Sequence, residues 1–293
     1  MTKRIGWIGT GVMGQPMCAH LIQNGYDMAV FNRTREKADD LVDAGAVWRE
    51  SPRAVAEKSD IVFTIVGFPQ DVREIYFGDT GIFAGMRKGG TVVDMTTSEP
   101  SLAAQIAAQA GENGVAALDA PVSGGDVGAR QGTLAIVVGG DRDAFDETKP
   151  LFDILGDNVA YLGPAGAGQH TKMSNQTLIA STMIGVVESL LYAWKAGLDP
   201  NDVIDVIGRG AASSWSINNL GRRIVAGDYN PGFYIRHFVK DMGIALREAE
   251  RMNLSLPGLS LARQFYVAAM GMGFEDLGTQ GLYKVLARLN GVA

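Results

Sequence analysis

Two polar residues three positions apart, Lys172 and Asn175, lie near the start of a long apolar stretch. The stretch runs from 163 to 198, opens with a glycine-rich turn and has no proline after Pro164, which predicts a long helix. Residues three apart share a helix face, so an ammonium and an amide point into one site. Lysine is rarely buried without a partner. The pair therefore favours a catalytic site over the alternative, a solvated lysine at a helix start.

Apolar side chains lie on every side of this predicted helix, which is typical of a buried helix. Its polar start and the Ser, Thr, Glu and Gly residues within it argue against a membrane span. An ordinary lysine has a pKa of about 10.4, so its ammonium can donate a proton during carbonyl reduction. Acting as a base in the reverse reaction requires a lower pKa, from burial or from the positive end of its own helix.

An anion-binding loop is predicted at Ser123-Gly124-Gly125, where a hydroxyl and several backbone N–H groups suit a carboxylate or oxyanion. The alternative is an ordinary Ser-Gly turn. Arg236 and His237 offer positive charge for a second anionic group, although a basic helix start explains them equally well.

A glycine-rich turn near the N-terminus predicts dinucleotide binding. Residues 4–8 read as a buried strand, a helical run follows the turn, and residues 27–31 form a second strand. The turn has the pattern G-x-G-x-x-G in the setting that a Rossmann unit requires, with the helix N-terminus facing a pyrophosphate. Its residues Gly9, Gly11, Val12, Met13 and Gly14 are the candidate phosphate contacts.

The residues after the second strand indicate which cofactor binds. NAD-binding units commonly place a carboxylate here, whereas an arginine accommodates the 2′-phosphate of NADP. This chain has Asn32, Arg33 and Thr34. Arg33 can make a charge-assisted contact, which favours NADP, with NAD possible. The alternative is that Arg33 only solvates a loop.

Strands and helices alternate up to about residue 163, and only helical patterns follow. This predicts an α/β protein with an N-terminal Rossmann-type, doubly wound and mostly parallel sheet, a long interdomain helix and a C-terminal all-α domain. The predicted domains are 1–163 for dinucleotide binding and 164–293 for substrate binding and oligomerisation. Ligands bind at the carboxyl ends of such strands, here 67–69 (Gly67, Phe68, Pro69), 94–98 and 119–125.

Composition excludes several classes of function. The net charge of −6 and the isoelectric point near 5.1 show no excess of positive charge that would favour binding to nucleic acid or anionic membranes. The chain has one cysteine and no apolar signal stretch at its start, which favours the cytoplasm. Its three histidines and single cysteine show no metal-ligand spacing, so no metal is expected.

The chain resembles the β-hydroxyacid dehydrogenase family, which includes 3-hydroxyisobutyrate dehydrogenases and tartronate semialdehyde reductases. The resemblance rests on GTGVMGQPM after the first strand, DAPVSGGDVGARQGTL at 119–134, GAGQHTKMSNQ at 166–176 and FVKDMGIALREA at 238–249. It implies that Lys172 is the acid/base, that Asn175 lies close to the substrate and that the Ser123 loop binds its carboxylate. It also implies that Thr96 and Lys240 approach the nicotinamide. Gln176 stands where many members have a second Asn.

The sequence leaves the substrate open. The expected partner is a short β-hydroxy acid or its semialdehyde, and the expected assembly is a homodimer or homotetramer. Tartronate or succinic semialdehyde, glyoxylate or an imine are alternatives, although family members that act on imines replace the lysine. A non-catalytic NADP-binding sensor is an alternative of another class, and the paired Lys172 and Asn175 argue against it.

Overall fold

The computed structural model describes residues 3–292. The chain packs into two compact units, Met1–Lys172 and Met173–Ala293. The first unit extends beyond residue 163 because the first turn of a long helix packs with it. The domain boundary at 163/164 stays a prediction.

The first unit is built on a sheet of nine strands in the described part of the chain. Strands β1 to β9 are Ile5–Ile8, Met28–Phe31, Val47–Trp48, Ile61–Thr64, Thr91–Asp94, Ala116–Asp119, Val122–Ser123, Ala135–Gly140 and Asn158–Gly163. The order β3-β2-β1-β4-β5-β6 is parallel throughout. Strand β8 runs antiparallel to β6 and β7, and β9 pairs with β8 in parallel. The prediction of a mostly parallel Rossmann-type sheet is confirmed.

Helices cover both faces of this sheet, so its central strands are buried on both sides. Every residue of β1, β4 and β5 is buried. Such strands read as continuous apolar runs rather than as alternating patterns. Apolar residues form two core clusters in this unit, and Trp7 stacks on Phe63 with ring centroids 5.5 Å apart in one of them.

Seven helices of the first unit are described. Helices α1 to α7 are Gly14–Gln23, Asp39–Asp43, Pro52–Ala56, Pro69–Phe77, Pro100–Glu112, Gly125–Gln131 and Arg142–Leu155. The sequence pattern over 35–44 predicts a single helix, whereas the structure has a 3-10 turn, Arg35–Ala38, followed by α2. The sequence analysis missed β3, β7, β9, α3 and α6, because segments of two to seven residues show too little periodicity.

The second unit is helical over its described residues, as predicted. Helix α8 runs over both units, and α9 to α13 follow it; the six span Ala167–Lys195, Pro200–Ile207, Arg222–Val225, Ile235–Arg251, Pro257–Gly271 and Leu282–Leu289. The sequence pattern over 215–225 predicts one continuous helix, whereas the structure has a π-helical turn, Ser216–Gly221, followed by α10. This unit has its own apolar core cluster, in which Phe238 packs edge-on against Tyr266.

Helix α8 is not buried on every side. One stripe along it is exposed, and its members recur every three or four residues: His170, Ser174, Leu178, Ser181, Gly185, Glu188 and Tyr192. Leu178 and Tyr192 are 70% and 77% exposed. The expectation of burial all round is therefore wrong for this face, which carries polar and small residues besides its two large apolar ones.

By length and composition alone, α8 could cross a membrane, despite its polar start. It is the one such helix among residues 3–292. A single helix of this kind is weak evidence, because core helices of soluble proteins have the same length and composition.

Candidate active site

The glycine-rich turn joins β1 to α1. A Cβ on Gly9 would lie 2.1 Å from the Ile65 carbonyl oxygen, and one on Gly14 would lie 2.0 Å from the Gly9 carbonyl oxygen. Packing therefore requires both glycines. A Cβ on Gly11 would meet no atom within 4 Å, so the fold does not require this glycine. The open space beside Gly11, with exposed Val12 next to it, fits a pyrophosphate that approaches the backbone.

The end of β2 presents an arginine and fixes the turn. Asn32 Oδ1 accepts a hydrogen bond from the Thr10 N–H at 3.1 Å, and Asn32 Nδ2 donates one to the Thr34 carbonyl at 2.7 Å. The Asn32 amide thus holds the glycine turn in place. The Arg33 side chain is 88% exposed and forms an ion pair with Asp71 at 3.2 Å. An exposed guanidinium at this strand end suits a ribose phosphate.

The ends of β4 and β5 are tied together by hydrogen bonds. Thr96 is 2% exposed, and its Oγ1 accepts a hydrogen bond from the Val66 N–H at 3.0 Å. Residues 67–69 then turn into α4, where Asp71 Oδ2 accepts the Phe68 N–H at 3.0 Å. The predicted contacts Gly67, Phe68 and Thr96 thus lie on neighbouring strand ends within the first unit.

Two buried aspartates end the neighbouring strands β5 and β6. Asp94 and Asp119 are directly opposite each other in the parallel register, and each is 4% exposed. Asp94 Oδ1 accepts hydrogen bonds from Thr64 Oγ1 at 2.9 Å and from the Thr96 N–H at 3.0 Å. Burial raises the pKa of Asp94 to about 6, although these hydrogen bonds by themselves lower it. Burial also raises the pKa of Asp119 to about 6, against hydrogen bonds from backbone N–H groups.

The raised pKa of Asp94 predicts a pH-dependent stability that Asp94→Asn removes. An amide oxygen keeps both hydrogen bonds that Oδ1 accepts, but it does not titrate. Between the ordinary pKa of 3.8 and the folded value of about 6, the native wild type binds more protons than the unfolded chain. Its free energy of unfolding therefore falls as pH rises through this window.

At about 1.4 kcal/mol per pKa unit, the free energy of unfolding of Asp94→Asn minus that of wild type should rise by up to about 3 kcal/mol from about pH 4 to about pH 7. Urea denaturation at a series of pH values measures this difference. A difference that stays flat or falls with pH would contradict the assignment.

Asp119 anchors the first turn of α8. Its Oδ1 accepts the Gly166 N–H at 2.7 Å, and its Oδ2 accepts the Gln169 N–H at 2.8 Å. The first N–H groups of a helix have no partner within the helix, and a carboxylate there also meets the positive end of the helix dipole. The end of β6 therefore fixes where α8 begins, one turn before Lys172.

Lys172 and Ser123 are brought together, as predicted for one site. Lys172 is 7% exposed, and its Nζ donates hydrogen bonds to Ser123 Oγ and to the Val122 carbonyl, both at 2.9 Å. The predicted loop at 123–125 is wrong in detail, because Ser123 ends β7 and Gly125 begins α6. Gly124 and Gly125 have φ of +133° and +62°, which L side chains rarely adopt.

Sequence reasoning missed the role of Gln169, which is 0% exposed. Its Oε1 accepts the Ser98 N–H at 2.9 Å, and its Nε2 donates to the Thr96 carbonyl at 2.7 Å. It also missed Asp119 as the anchor of α8. Both lie inside the quoted motifs, but no local spacing pattern pairs residues so far apart in the chain.

In the second unit, Asn175 is part of a chain of polar side chains. Asn175 Nδ2 donates to Gln176 Oε1 at 2.8 Å, and Gln176 Nε2 donates to Asp241 Oδ2 at 2.6 Å. Lys240 Nζ lies 3.2 Å from Asp241 Oδ1. These contacts hold Asn175 and Lys240 through buried partners, so both are fixed rather than solvated.

The suggested second anion site carries less charge than the sequence implies. Arg236 forms an ion pair with Asp276 and stacks on the Tyr234 ring at 4.4 Å. Burial lowers the pKa of His237 to about 4, with smaller contributions from the charges of Lys240 and Arg236. The His237 imidazole is therefore neutral at pH 7.

Among residues 3–292, no group of three or more His, Cys, Asp or Glu side chains is arranged to hold a metal ion. Within the first unit, Asn32, Thr96, Ser123 and Lys172 lie at or beside the strand ends, where sheets of this kind bind their ligands.

Comparison with known proteins decides the family. Residues 4–163 match the NAD-binding domain of 6-phosphogluconate dehydrogenase, and residues 166–286 match the NAD-binding domain of NADP-dependent 3-hydroxyisobutyrate dehydrogenase. The chain belongs to the β-hydroxyacid dehydrogenase family. It is an NAD(P)-dependent oxidoreductase of hydroxy acids.

Similar proteins cover nearly the whole of this β-hydroxyacid dehydrogenase. It is 53% identical to a probable 3-hydroxyisobutyrate dehydrogenase-like protein of Arabidopsis thaliana, over 99% of this chain and 87% of that one. It is 39% identical to the 2-hydroxy-3-oxopropionate reductase of Escherichia coli, over 97% of each. The structure of a Mycobacterium tuberculosis 3-hydroxyisobutyrate dehydrogenase with L-serine matches with a TM-score of 0.90 and 29% identity, covering 98% of this chain and 99% of that one.

Proposed function

We propose that this protein is an NADP-preferring dehydrogenase that interconverts a short β-hydroxy acid, such as 3-hydroxyisobutyrate, with its semialdehyde. The observation that carries the proposal is the buried Lys172 ammonium, held 2.9 Å from the Ser123 hydroxyl at the end of β7. A proton donor and an anion-binding group thus lie side by side, at the strand ends where the fold places ligands.

The residues divide the chemistry as follows. Lys172 is the general acid/base that holds or moves the proton at the substrate's hydroxyl or carbonyl oxygen. The Ser123 hydroxyl and the backbone N–H groups of Gly124 and Gly125 bind the carboxylate. Bound nicotinamide dinucleotide supplies the hydride in reduction and takes it in oxidation.

The direct contact of Lys172 with Ser123 favours a β-hydroxy acid. The oxygen that exchanges a proton and the carboxylate must both reach groups only one hydrogen bond apart, so the two substrate groups are few bonds apart. L-serine, bound in the mycobacterial relative, is also a β-hydroxy acid. The roles that the resemblance gives to Asn175 near the substrate and to Lys240 and Thr96 near the nicotinamide stay predictions.

NADP preference is proposed from Arg33, and Arg33→Ala tests it. A hydrogen bond to a charged group is worth roughly 1.5–3 kcal/mol, so the variant should bind NADP about ten- to a hundredfold more weakly. Its affinity for NAD should stay nearly unchanged, because NAD has no 2′-phosphate. Fluorescence titration with both cofactors measures this. Equal losses for the two cofactors would remove Arg33 as the selecting residue.

Reduction of 2-hydroxy-3-oxopropionate, which is tartronate semialdehyde, is the second candidate. It is supported by the relative of 39% identity from Escherichia coli, and this substrate also pairs a carboxylate with a nearby aldehyde. A non-catalytic NADP-binding sensor is less well supported, since such a protein has no use for a buried ammonium beside an anion-binding turn.

A homo-oligomer is proposed from the exposed stripe of α8. Large exposed apolar side chains such as Leu178 and Tyr192 favour a protein–protein contact. The proposed partner is a second copy of the chain, as a dimer or tetramer. Light scattering on the purified protein tests it, and a monomer at micromolar concentration would contradict it.

The experiment that tests the proposed function is a substrate panel. NADPH oxidation is followed with the semialdehyde of 3-hydroxyisobutyrate, tartronate and succinic semialdehydes and glyoxylate, and NADP reduction with the matching hydroxy acids. The proposal expects the highest kcat/KM with a β-hydroxy acid or its semialdehyde. Turnover of glyoxylate or succinic semialdehyde alone would overturn it.

A further inference from the structure

Both polar atoms of the Gln169 side chain form hydrogen bonds with one loop, residues 96–98. The amide oxygen accepts from the Ser98 N–H at 2.9 Å, and the amide nitrogen donates to the Thr96 carbonyl at 2.7 Å. The residue is completely buried. The oxygen and one N–H of this buried amide both form hydrogen bonds with the same three-residue segment, 96–98. Two such bonds fix the position and the orientation of the segment.

The same residue belongs to the turn of α8 that precedes Lys172. Its backbone N–H donates to Asp119 Oδ2 at 2.8 Å, which anchors this turn to the end of β6. Lys172 follows three residues later on the same helix, and its ammonium contacts the β7 residue Ser123 at 2.9 Å. One helical turn therefore connects the loop after β5 with the proposed acid/base, entirely within the first unit.

The position of β5 in the strand order places the loop after it where the nicotinamide half of a dinucleotide is expected to bind. The strand order reverses between β1 and β4, and a dinucleotide lies across such a reversal at the carboxyl ends of the strands. The adenosine half is then expected at the end of β2, which carries Arg33. The nicotinamide half is expected at the ends of β4 and β5. Thr96, bonded to the Val66 N–H, belongs to both of these ends.

Hydride and proton transfer act on adjacent atoms of one substrate group, the carbon and its oxygen. The surface that supports the nicotinamide and the ammonium that serves the oxygen must therefore keep a fixed separation. A misplacement of about 1 Å can cost about a hundredfold in rate.

We propose that Gln169 is a positioning residue that sets the loop 96–98 at a fixed distance from Lys172. It acts through its hydrogen bonds to Thr96 and Ser98 and touches no reacting atom itself. This inference rests on the proposed role of Lys172 as the acid/base.

Gln169→Leu tests the inference, because leucine keeps most of the volume and removes both hydrogen bonds. We expect kcat to fall about ten- to a hundredfold, while KM and the dissociation constant of NADPH change by less than about threefold. In the protein without cofactor, hydrogen exchange of the Ser98 amide should become faster. Gln280→Leu is the matched control, since Gln280 is 1% exposed and donates to the Asp228 and Asn230 carbonyls at 3.1 Å within the second unit.

Gln169→Glu provides a second, pH-dependent readout. A carboxylate can still accept the Ser98 N–H, but it faces the Thr96 carbonyl without a proton to donate. A protonated carboxyl restores both hydrogen bonds. We therefore expect the kcat of Gln169→Glu, divided by that of wild type, to rise as pH falls, whereas the ratio for Gln169→Leu stays flat.

The outcomes separate this inference from the proposed function. If Lys172→Ala loses turnover and Gln169→Leu keeps kcat within about threefold of wild type, the positioning role is wrong and the acid/base role stands. Equal kcat losses in Gln169→Leu and Gln280→Leu also overturn the positioning role, because general destabilisation then explains both. If Lys172→Ala turns over at the wild-type rate, the acid/base role on which this inference rests fails.

Discussion

Lys172→Ala is expected to lower kcat for semialdehyde reduction by about 10²–10⁴-fold, the range that general acid–base groups contribute. The Lys172 ammonium is the buried proton donor beside Ser123, and alanine leaves no donor in its place. NADPH binding should persist, because the glycine turn and Arg33, the proposed dinucleotide contacts, lie elsewhere in the unit. Steady-state kinetics and fluorescence titration of NADPH measure the two quantities.

Two further variants control this result. Lys172→Met keeps most of the side-chain volume and should lose kcat to the same extent, which separates the lost proton donor from a packing defect. Lys149→Ala removes a lysine from an exposed ion pair with Asp153 and should leave kcat unchanged. Near wild-type turnover by Lys172→Ala would remove the acid/base assignment.

Removing the substrate's carboxylate charge is expected to be nearly as damaging as removing Lys172. For the wild type, methyl esters of the best acids should have kcat/KM lower by about 10²-fold, because a charged contact with the Ser123 turn is worth roughly 1.5–3 kcal/mol and an ester loses more than one. Ser123→Leu, which also blocks the turn with bulk, should lose kcat/KM for acids and leave the small activity with esters less affected.

Ser123→Ala removes the hydroxyl without adding bulk and should lie between wild type and Ser123→Leu. Ser260→Leu changes an exposed serine on α12 and serves as the control for surface apolarity. Equal kcat/KM of the wild type for acids and esters would show that no carboxylate is recognised, and the role of 123–125 would then be abandoned.

The parts of this protein that could be predicted from sequence are those encoded locally. The turn from Gly9 to Gly14 and the apolar runs of β1, β4 and β5 lie in single short segments, so pattern and position were enough. The structure adds a division within the turn: Gly9 and Gly14 serve packing, and Gly11 leaves space for a ligand.

The contacts that assemble the site could not be predicted, because they join distant segments. The Asp119 carboxylate meets the Gln169 N–H across 50 residues, and the Gln169 amide meets Thr96 across 73. No periodicity links such residues. The exposed stripe of α8 was missed because apolar residues are spread around the whole helix, and such a pattern does not show which face the fold leaves uncovered.

The most direct test of the central claim follows the hydride itself. NADPH carrying two deuterium atoms at C4 of the nicotinamide is incubated with the protein and the semialdehyde of 3-hydroxyisobutyrate, and the product is analysed by mass spectrometry and NMR. The account predicts 3-hydroxyisobutyrate with one deuterium on the carbon β to the carboxylate, formed by the wild type and at least about a hundredfold more slowly by Lys172→Ala. An unlabelled product, or equal rates of label transfer by the two proteins, would contradict it.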